Sequence, residues 1–176
     1  MDEIIIGSDA ALELIQENRR LQFMSILDVV CAPSTFAARV FNPLQPLFAL
    51  GARLYVSGQF LQSGLIKITT WERTLSLFQT DYHTPWLSPY HAAVAGTFGE
   101  LFFPALVGVG FISRWSALGL FVVNAVSVIS HSQVLLAEGS EAALGRHVVW
   151  GSILLFLIFY GPGKLSLDYY LNRSRF

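Results

Sequence analysis

Four stretches of about 20 mostly apolar residues limit what this chain can fold into. They cover residues 44–66, 90–112, 115–136 and 144–161. An α-helix needs about 20 such residues to cross the hydrocarbon core of a bilayer. Pro43, Pro46 and Pro89 stand at the beginnings of the first two stretches, and Gly161-Pro162-Gly163 ends the last, as helix boundaries require. The sequence therefore predicts an all-α membrane protein with a bundle of four transmembrane helices.

The composition is consistent with a lipid environment and excludes several other classes of protein. Hydrophobic residues make up 53% of the chain and charged residues 13%, whereas a soluble domain carries about a quarter charged residues. Cys31 is the single cysteine, so a disulfide framework or thiolate cluster cannot form within one chain. No basic patch with interleaved aromatic residues is present, so we expect the lipid bilayer, and no nucleic acid, as a partner.

Residues 1–42 form an acidic extension ahead of the predicted bundle, which takes up residues 43–176. Within the extension, Ser8 or Asp9 can cap an amphipathic helix over residues 10–30, whose apolar residues recur at helical spacing. An apolar stripe of this kind can pack against either lipid or protein. The helix is therefore expected either on the membrane surface or in the cytoplasm against the mouth of the bundle.

The distribution of Lys and Arg predicts the orientation of the bundle, because positive residues concentrate in cytoplasmic flanks. Both termini are then cytoplasmic, and the segments 69–89 and 137–143 lie outside. In the first of these, Trp71, Tyr82 and Trp86 are expected to anchor the membrane interface. Seven basic residues are placed inside, namely Arg19, Arg20, Arg39, Arg114, Lys164, Arg173 and Arg175, against Lys67, Arg73 and Arg146 outside.

Arg53 and Glu100 are ionisable residues inside two of the apolar stretches. A charge at the bilayer centre costs about 2.5 to 3.5 kcal/mol, so each needs a partner. At about 1.5 Å per residue, Arg53, Glu100 and Asn124 lie roughly 14 to 18 Å deep, which predicts a buried Arg53–Glu100 ion pair with Asn124 beside it. Such a pair is either a proton-transfer site or a structural element that sets helix register.

The predicted outer half of the bundle contains all four histidines. His131 and His147 flank a short loop between antiparallel helices and are expected to approach each other, while Lys67 shares a helix face with Arg53. We take Lys67, His131 and His147 as candidates to face a quinone. Structural hydrogen bonds, a metal or haem are the alternatives for the histidines, and their spacing favours no metal set.

Several of these positions follow a pattern that resembles the DoxX family over residues 50–171. The pattern has an Arg opening the first helix, a Gly-x-x-Lys ending it, a Gly-Glu-Leu in the second helix, and a glycine-rich stop before a Ser-x-Asp. It is matched at Arg53, Gly64, Lys67, Gly99, Glu100, Leu101, Gly161, Ser166 and Asp168, with His131 ending the third helix.

The resemblance implies a four-helix protein of the bacterial inner membrane. The family is named after a subunit of a thiosulfate-oxidising, quinone-reducing complex. The resemblance also implies a quinone-linked or thiol/sulfur-linked redox subunit that acts with a protein partner and takes quinone as its candidate cofactor. A non-catalytic scaffold or assembly protein, whose Arg–Glu pair is structural, is the alternative. A small transporter without an inverted repeat would need to oligomerise, so a homo-oligomer is also considered. No catalytic residue is assigned.

Overall fold

The computed structural model describes residues 13–22, 34–82, 84, 87–137 and 139–173. The chain divides into two units, Met1–Leu44 and Gln45–Phe176. In the first unit, residues 13–22 and 34–41 are helical, and a 3-10 turn follows at Asn42–Leu44. The amphipathic helix expected over residues 10–30 is thus present at 13–22, where its residues are exposed, and the rest of it lies outside the described residues.

The described part of the second unit is mainly helical and contains no strand. Helices are numbered from Gln45 onwards. They are α1 (Gln45–Thr69), α2 (Trp71–Thr80), α3 (Pro89–Val109), α4 (Ser113–Ser130), α5 (Ser132–Leu135), α6 (Glu141–Tyr160) and α7 (Leu167–Arg173).

Three helices of the described chain, α3, α4 and α6, are long and apolar enough to cross a membrane. This confirms an all-α membrane protein. The first predicted span corresponds to α1, which has 25 residues. Arg53, Gln59, Gln62 and Lys67 lower the hydropathy of α1, and it is not among the three. The count of four spans therefore stays a prediction.

Two boundaries differ from the sequence prediction, which treated residues 69–89 as an outer loop. That segment contains the helix α2, because Thr74 and Phe78, one turn apart, are buried and Phe78 packs in a cluster with Ala92 and Ala93. The third span ends at Ser130 and not at residue 136. The backbone leaves the α conformation at His131 (φ −110°, ψ 20°), and the short helix α5 follows.

The helices of the bundle pack as α1 on α3, α3 on α4 and α4 on α6. α3 begins where Ser88 accepts a hydrogen bond from the backbone of His91 with Pro89 at the first position, a common helix start. The shared core contains no charged residue, and its members come from all four long helices. They are Val56, Phe60, Val107, Ala117, Leu120, Leu154 and Leu157.

Candidate functional site

The buried carboxylate of Glu100 forms an ion pair with Lys67. Glu100 is 4% exposed, and the side chain of Lys67 is 18% exposed. Gly64, one turn before Lys67, makes this contact possible. A Cβ at Gly64 would lie 2.8 Å from Leu101 Cγ and 3.2 Å from the carbonyl carbon of Glu100, so only glycine lets α1 and α3 approach this closely.

The predicted pairing of Arg53 with Glu100 is wrong, although the burial of both residues is as expected. Arg53, 1% exposed, donates a hydrogen bond to the carbonyl oxygen of Leu165. A Cβ on Gly110 would lie 1.9 Å from Arg53 Nη1, so the guanidinium of Arg53, which extends from α1, lies beside the C-terminal end of α3. Glu100 is ten residues earlier in α3, a distance of about 15 Å along the helix. Since α1 runs antiparallel to α3, Lys67 is the cation that reaches Glu100.

Arg53 belongs instead to a group that joins the α3–α4 turn to the C-terminal segment, which we call the Arg53 cluster (Arg53, Gly110, Leu165, Ser166 and Asp168). Asp168 accepts hydrogen bonds from the backbone N–H groups of Ile112 and Ser113, each at 2.8 Å. Its own N–H donates to Gly110 O at 2.9 Å. A carboxylate at a helix N-terminus also interacts favourably with the helix dipole. Asp168 of the Ser-x-Asp pattern is thus a cap on α4, whereas Ser166 Oγ accepts from the backbone N–H of Tyr169 in α7 at 3.3 Å.

Asn124 bonds neither to the Lys67–Glu100 pair nor to Arg53. Its Nδ2 donates to the carbonyl oxygen of His147 at 3.1 Å, and its Oδ1 lies 2.8 Å from His147 Nδ1. Because Oδ1 can only accept, Nδ1 carries a proton and the other ring nitrogen of a neutral His147 is an acceptor. Asn124 therefore links α4 to α6 and holds the imidazole of His147 in one orientation.

Two cavities lie on either side of the Lys67–Glu100 pair. Both are lined by Lys67, Tyr82, Glu100 and Ser127. The first, which we call the apolar cavity, has a volume of about 230 Å³, and its other lining residues are Phe78, Thr84, Leu87, Ala92, Ala95, Gly96, Val122, Val123, Val126 and Ser130.

The second cavity, which we call the histidine cavity, has a volume of about 170 Å³. The structure therefore brings together the three residues that the sequence named as candidates to face a quinone, Lys67, His131 and His147, and adds Glu100 to them. Arg53 and Asn124 are not among its lining residues. Those not shared with the apolar cavity are Gln59, Phe60, Ser63, His131, His147 and Trp150.

Tyr82 stands at the boundary of the two cavities, a position that sequence analysis missed. Its ring stacks on Phe78 at 4.6 Å between centroids and contacts His131 at 4.4 Å, with the two planes tilted by 48°. Burial, followed by the charges of Glu100 and Asp81, raises the pKa of Tyr82, so its phenol stays protonated at neutral pH. The sequence placed Tyr82 among interfacial anchors. Its neighbour in that group, Trp86, lies outside the described residues.

Two buried polar atoms of the site have no hydrogen-bond partner among the described residues. They are Glu100 Oε2, an acceptor, and Trp150 Nε1, a donor. Buried polar groups in proteins are nearly always paired. The described residues contain no group of three His, Cys, Asp or Glu side chains placed to hold a metal. The arrangement is suited to a small molecule that both accepts and donates hydrogen bonds.

Fold and site together define a multi-pass α-helical membrane protein with a charged pair buried between two cavities. The model of the DoxX family matches residues 48–133, which supports membership of that family. Lys67, Glu100 and His131 lie within the matched range, whereas Asp168 of the Arg53 cluster lies beyond it. Neither the curated proteins nor the solved structures contain a significant match to this chain.

Proposed function

We propose that this protein is a quinone-binding redox subunit of a bacterial inner membrane and works with a protein partner that oxidises a thiol or another reduced sulfur compound. The observation that carries the proposal is Glu100 Oε2, which is buried and unpartnered among the described residues in a site where Lys67 neutralises the same carboxylate. Leaving such an acceptor unpaired costs about 1 to 3 kcal/mol or more. A ligand hydroxyl would remove this cost.

The polar groups of the site match both redox states of a quinone headgroup. A quinone carbonyl only accepts hydrogen bonds, and the donors available for it are Lys67 and Trp150 Nε1, with His131 on the same cavity. A quinol hydroxyl donates, and Glu100 Oε2 is an acceptor for it. Reduction of a quinone takes up two electrons and two protons. We assign the electrons to the partner subunit and headgroup binding to this chain.

The size of the cavities fits a single ring better than a large ligand. Sites for drug-sized molecules have volumes of about 300 to 1,000 Å³, whereas the two cavities measure about 230 and 170 Å³. Aromatic side chains form part of the walls, among them Phe60, Phe78, Tyr82 and Trp150. Such walls and a few convergent polar groups are typical of small-molecule sites.

We predict that the purified protein retains quinone and that Glu100→Gln weakens binding of the quinol by about tenfold, since a lost hydrogen bond to a charged acceptor costs about 1.5 kcal/mol or more. His131→Ala should weaken binding of the quinone, because it removes a ring that lines the histidine cavity and can donate to a quinone carbonyl. Binding is measured on protein in mild detergent at matched concentration, and quinone reduction in membranes with a thiol or thiosulfate as donor. His91→Ala is the matched control, because His91 lies near the start of α3 on Ser88 and lines none of these cavities.

A scaffold or assembly function is the second candidate, and the Arg53 cluster supports it. In that cluster the buried side chain of Arg53 has a structural role, because the cluster joins the C-terminal segment to the α3–α4 turn. Protein that carries no quinone, together with unchanged redox activity in Glu100→Gln and His131→Ala, would reject the redox proposal. The scaffold function would then explain why the bundle buries these charges, as elements that hold helices together.

We propose in addition that both termini face the cytoplasm and that α2 lies outside, as the distribution of Lys and Arg indicates. A cysteine at Ser76, an exposed position of α2, should react with an impermeant thiol reagent in intact cells when Cys31 is replaced by Ser. A cysteine at the exposed Lys164 should react only after the cells are opened. The reverse order of labelling would show the opposite orientation.

A further inference from the structure

We infer that the apolar cavity is a side entrance from the bilayer, through which a membrane-soluble ligand brings its polar headgroup to the Lys67–Glu100 pair while its hydrocarbon tail stays between α3 and α4. The inference rests on the proposed function and specifies it further. The ligand class is an amphiphile with a hydrogen-bonding ring and a long apolar chain, dissolved in lipid and not in water.

The rim of the apolar cavity lies on the surface that faces lipid. Val122 is 52% exposed and Val126 is 41% exposed, and Ala95 is also exposed. Leu87, 49% exposed, precedes α3 and borders the end of the cavity nearer the membrane surface. Ala95 belongs to α3 and the two valines to α4, and both helices are apolar enough to span the membrane. The opening between them is therefore bordered by small or branched apolar side chains, which suit a hydrocarbon chain.

The opening lies within the hydrocarbon part of the bilayer. Val126 and Val122 are four and eight residues from the end of α4 at Ser130, about 6 and 12 Å along the axis. Ala95 is six residues from the start of α3 at Pro89, about 9 Å. These depths place the part of the opening between α3 and α4 below the headgroup region of the leaflet, where it is in contact with lipid chains.

Small residues and the charged pair line the cavity together. Ala92 and Gly96 line one wall, and a Cβ at Gly96 would lie 3.6 Å from Phe78 Cζ. Glu100, 4% exposed, and Lys67 close the inner end, where Glu100 Oε2 has no partner among the described residues. An apolar path that ends on a buried unpaired acceptor suits a ligand with an apolar tail and a polar head.

The experiment compares two benzoquinones, one with a ten-carbon tail and one without a tail, by quenching of tryptophan fluorescence in nanodiscs. Ala95→Phe and Val126→Phe fill the opening from exposed positions, so the bundle should still fold. We expect each to weaken binding of the tailed quinone at least tenfold and to change binding of the tail-less quinone less than twofold. Val94→Phe is the control, because Val94 is 41% exposed on the same helix and lines none of the cavities.

The other possible outcomes each reject the inference. Equal affinity of wild type for the two quinones, with no effect of Ala95→Phe, rejects the entrance and leaves the quinone site in place. An equal loss for both quinones in Ala95→Phe also rejects the entrance, since the change then acts on the headgroup site. Displacement of the tailed quinone by a ten-carbon alcohol shows a groove for any lipid chain and rejects the inference. If wild type binds neither quinone, the proposed function fails together with it.

Discussion

Replacing either Lys67 or Glu100 alone by an apolar residue should destabilise the protein more than replacing both. Loss of one partner leaves the other charge buried without compensation, which costs about 3 to 5 kcal/mol. Glu100 is 4% exposed, so Lys67→Met should have the larger effect of the two single changes. The double variant Lys67→Met, Glu100→Leu removes both charges. It should recover at least half of the free energy of unfolding that a single change loses, which gives a coupling energy of about 2 kcal/mol.

The measurement is a double-mutant cycle on the free energy of unfolding in detergent. Its control is the pair Arg53→Leu and Glu100→Leu, which should be additive because Arg53 bonds to Leu165 and lies at the far end of α3. Coupling between Arg53 and Glu100, with additivity between Lys67 and Glu100, would contradict the pairing in the structure. It would support the pairing first expected from helix depth.

Gly110→Ala should destabilise the protein by about 3 kcal/mol or more, because it combines two costs. The residue has φ 75°, a conformation that costs L-residues about 1 to 2 kcal/mol. The new Cβ would also lie 1.9 Å from Arg53 Nη1 and 2.6 Å from Ser166 Cβ. Arg53 is buried and held by Leu165, so it cannot move away without breaking the Arg53 cluster, and overpacking of this kind adds about 1 to 3 kcal/mol.

Gly139→Ala separates the two costs. Gly139 has φ 86°, and a Cβ there would meet nothing within 4 Å among the described atoms. Gly139→Ala should therefore lower the free energy of unfolding only by the cost of the left-handed backbone conformation, about 1 to 2 kcal/mol. Both variants are compared with wild type by thermal unfolding in the same detergent. Equal losses in the two variants would show that the Arg53 cluster is loose enough to admit a methyl group.

Helix positions could be predicted well from the sequence where proline and glycine mark the ends. α3 begins at Pro89 and α6 ends before Gly161, as expected. The helix α2 was missed because its segment carries Glu72, Arg73 and Asp81 and reads as a polar loop. Only the contact of Phe78 with Ala92 and Ala93, which lie on another helix, shows which side of it is buried.

The candidate site was predicted in its residue types and only in part in its contacts. Lys67, Glu100, His131 and His147 were singled out because ionisable and polar residues are costly in lipid, and they do line one cavity. Tyr82 could not be found in this way. It lies outside the long helices, and a residue in a connecting segment has no periodicity from which its direction can be inferred.

By itself, the sequence determined that this is a helical membrane protein and which polar residues it must bury. Both follow from local quantities, the length of apolar stretches and the cost of a charge in lipid. Which cation pairs with Glu100 was decided by tertiary structure. The pairing depends on the register of α1 against α3, which the close approach at Gly64 and the turn at Gly110 set together. Residues far apart in the chain create that register, so no single stretch of sequence specifies it.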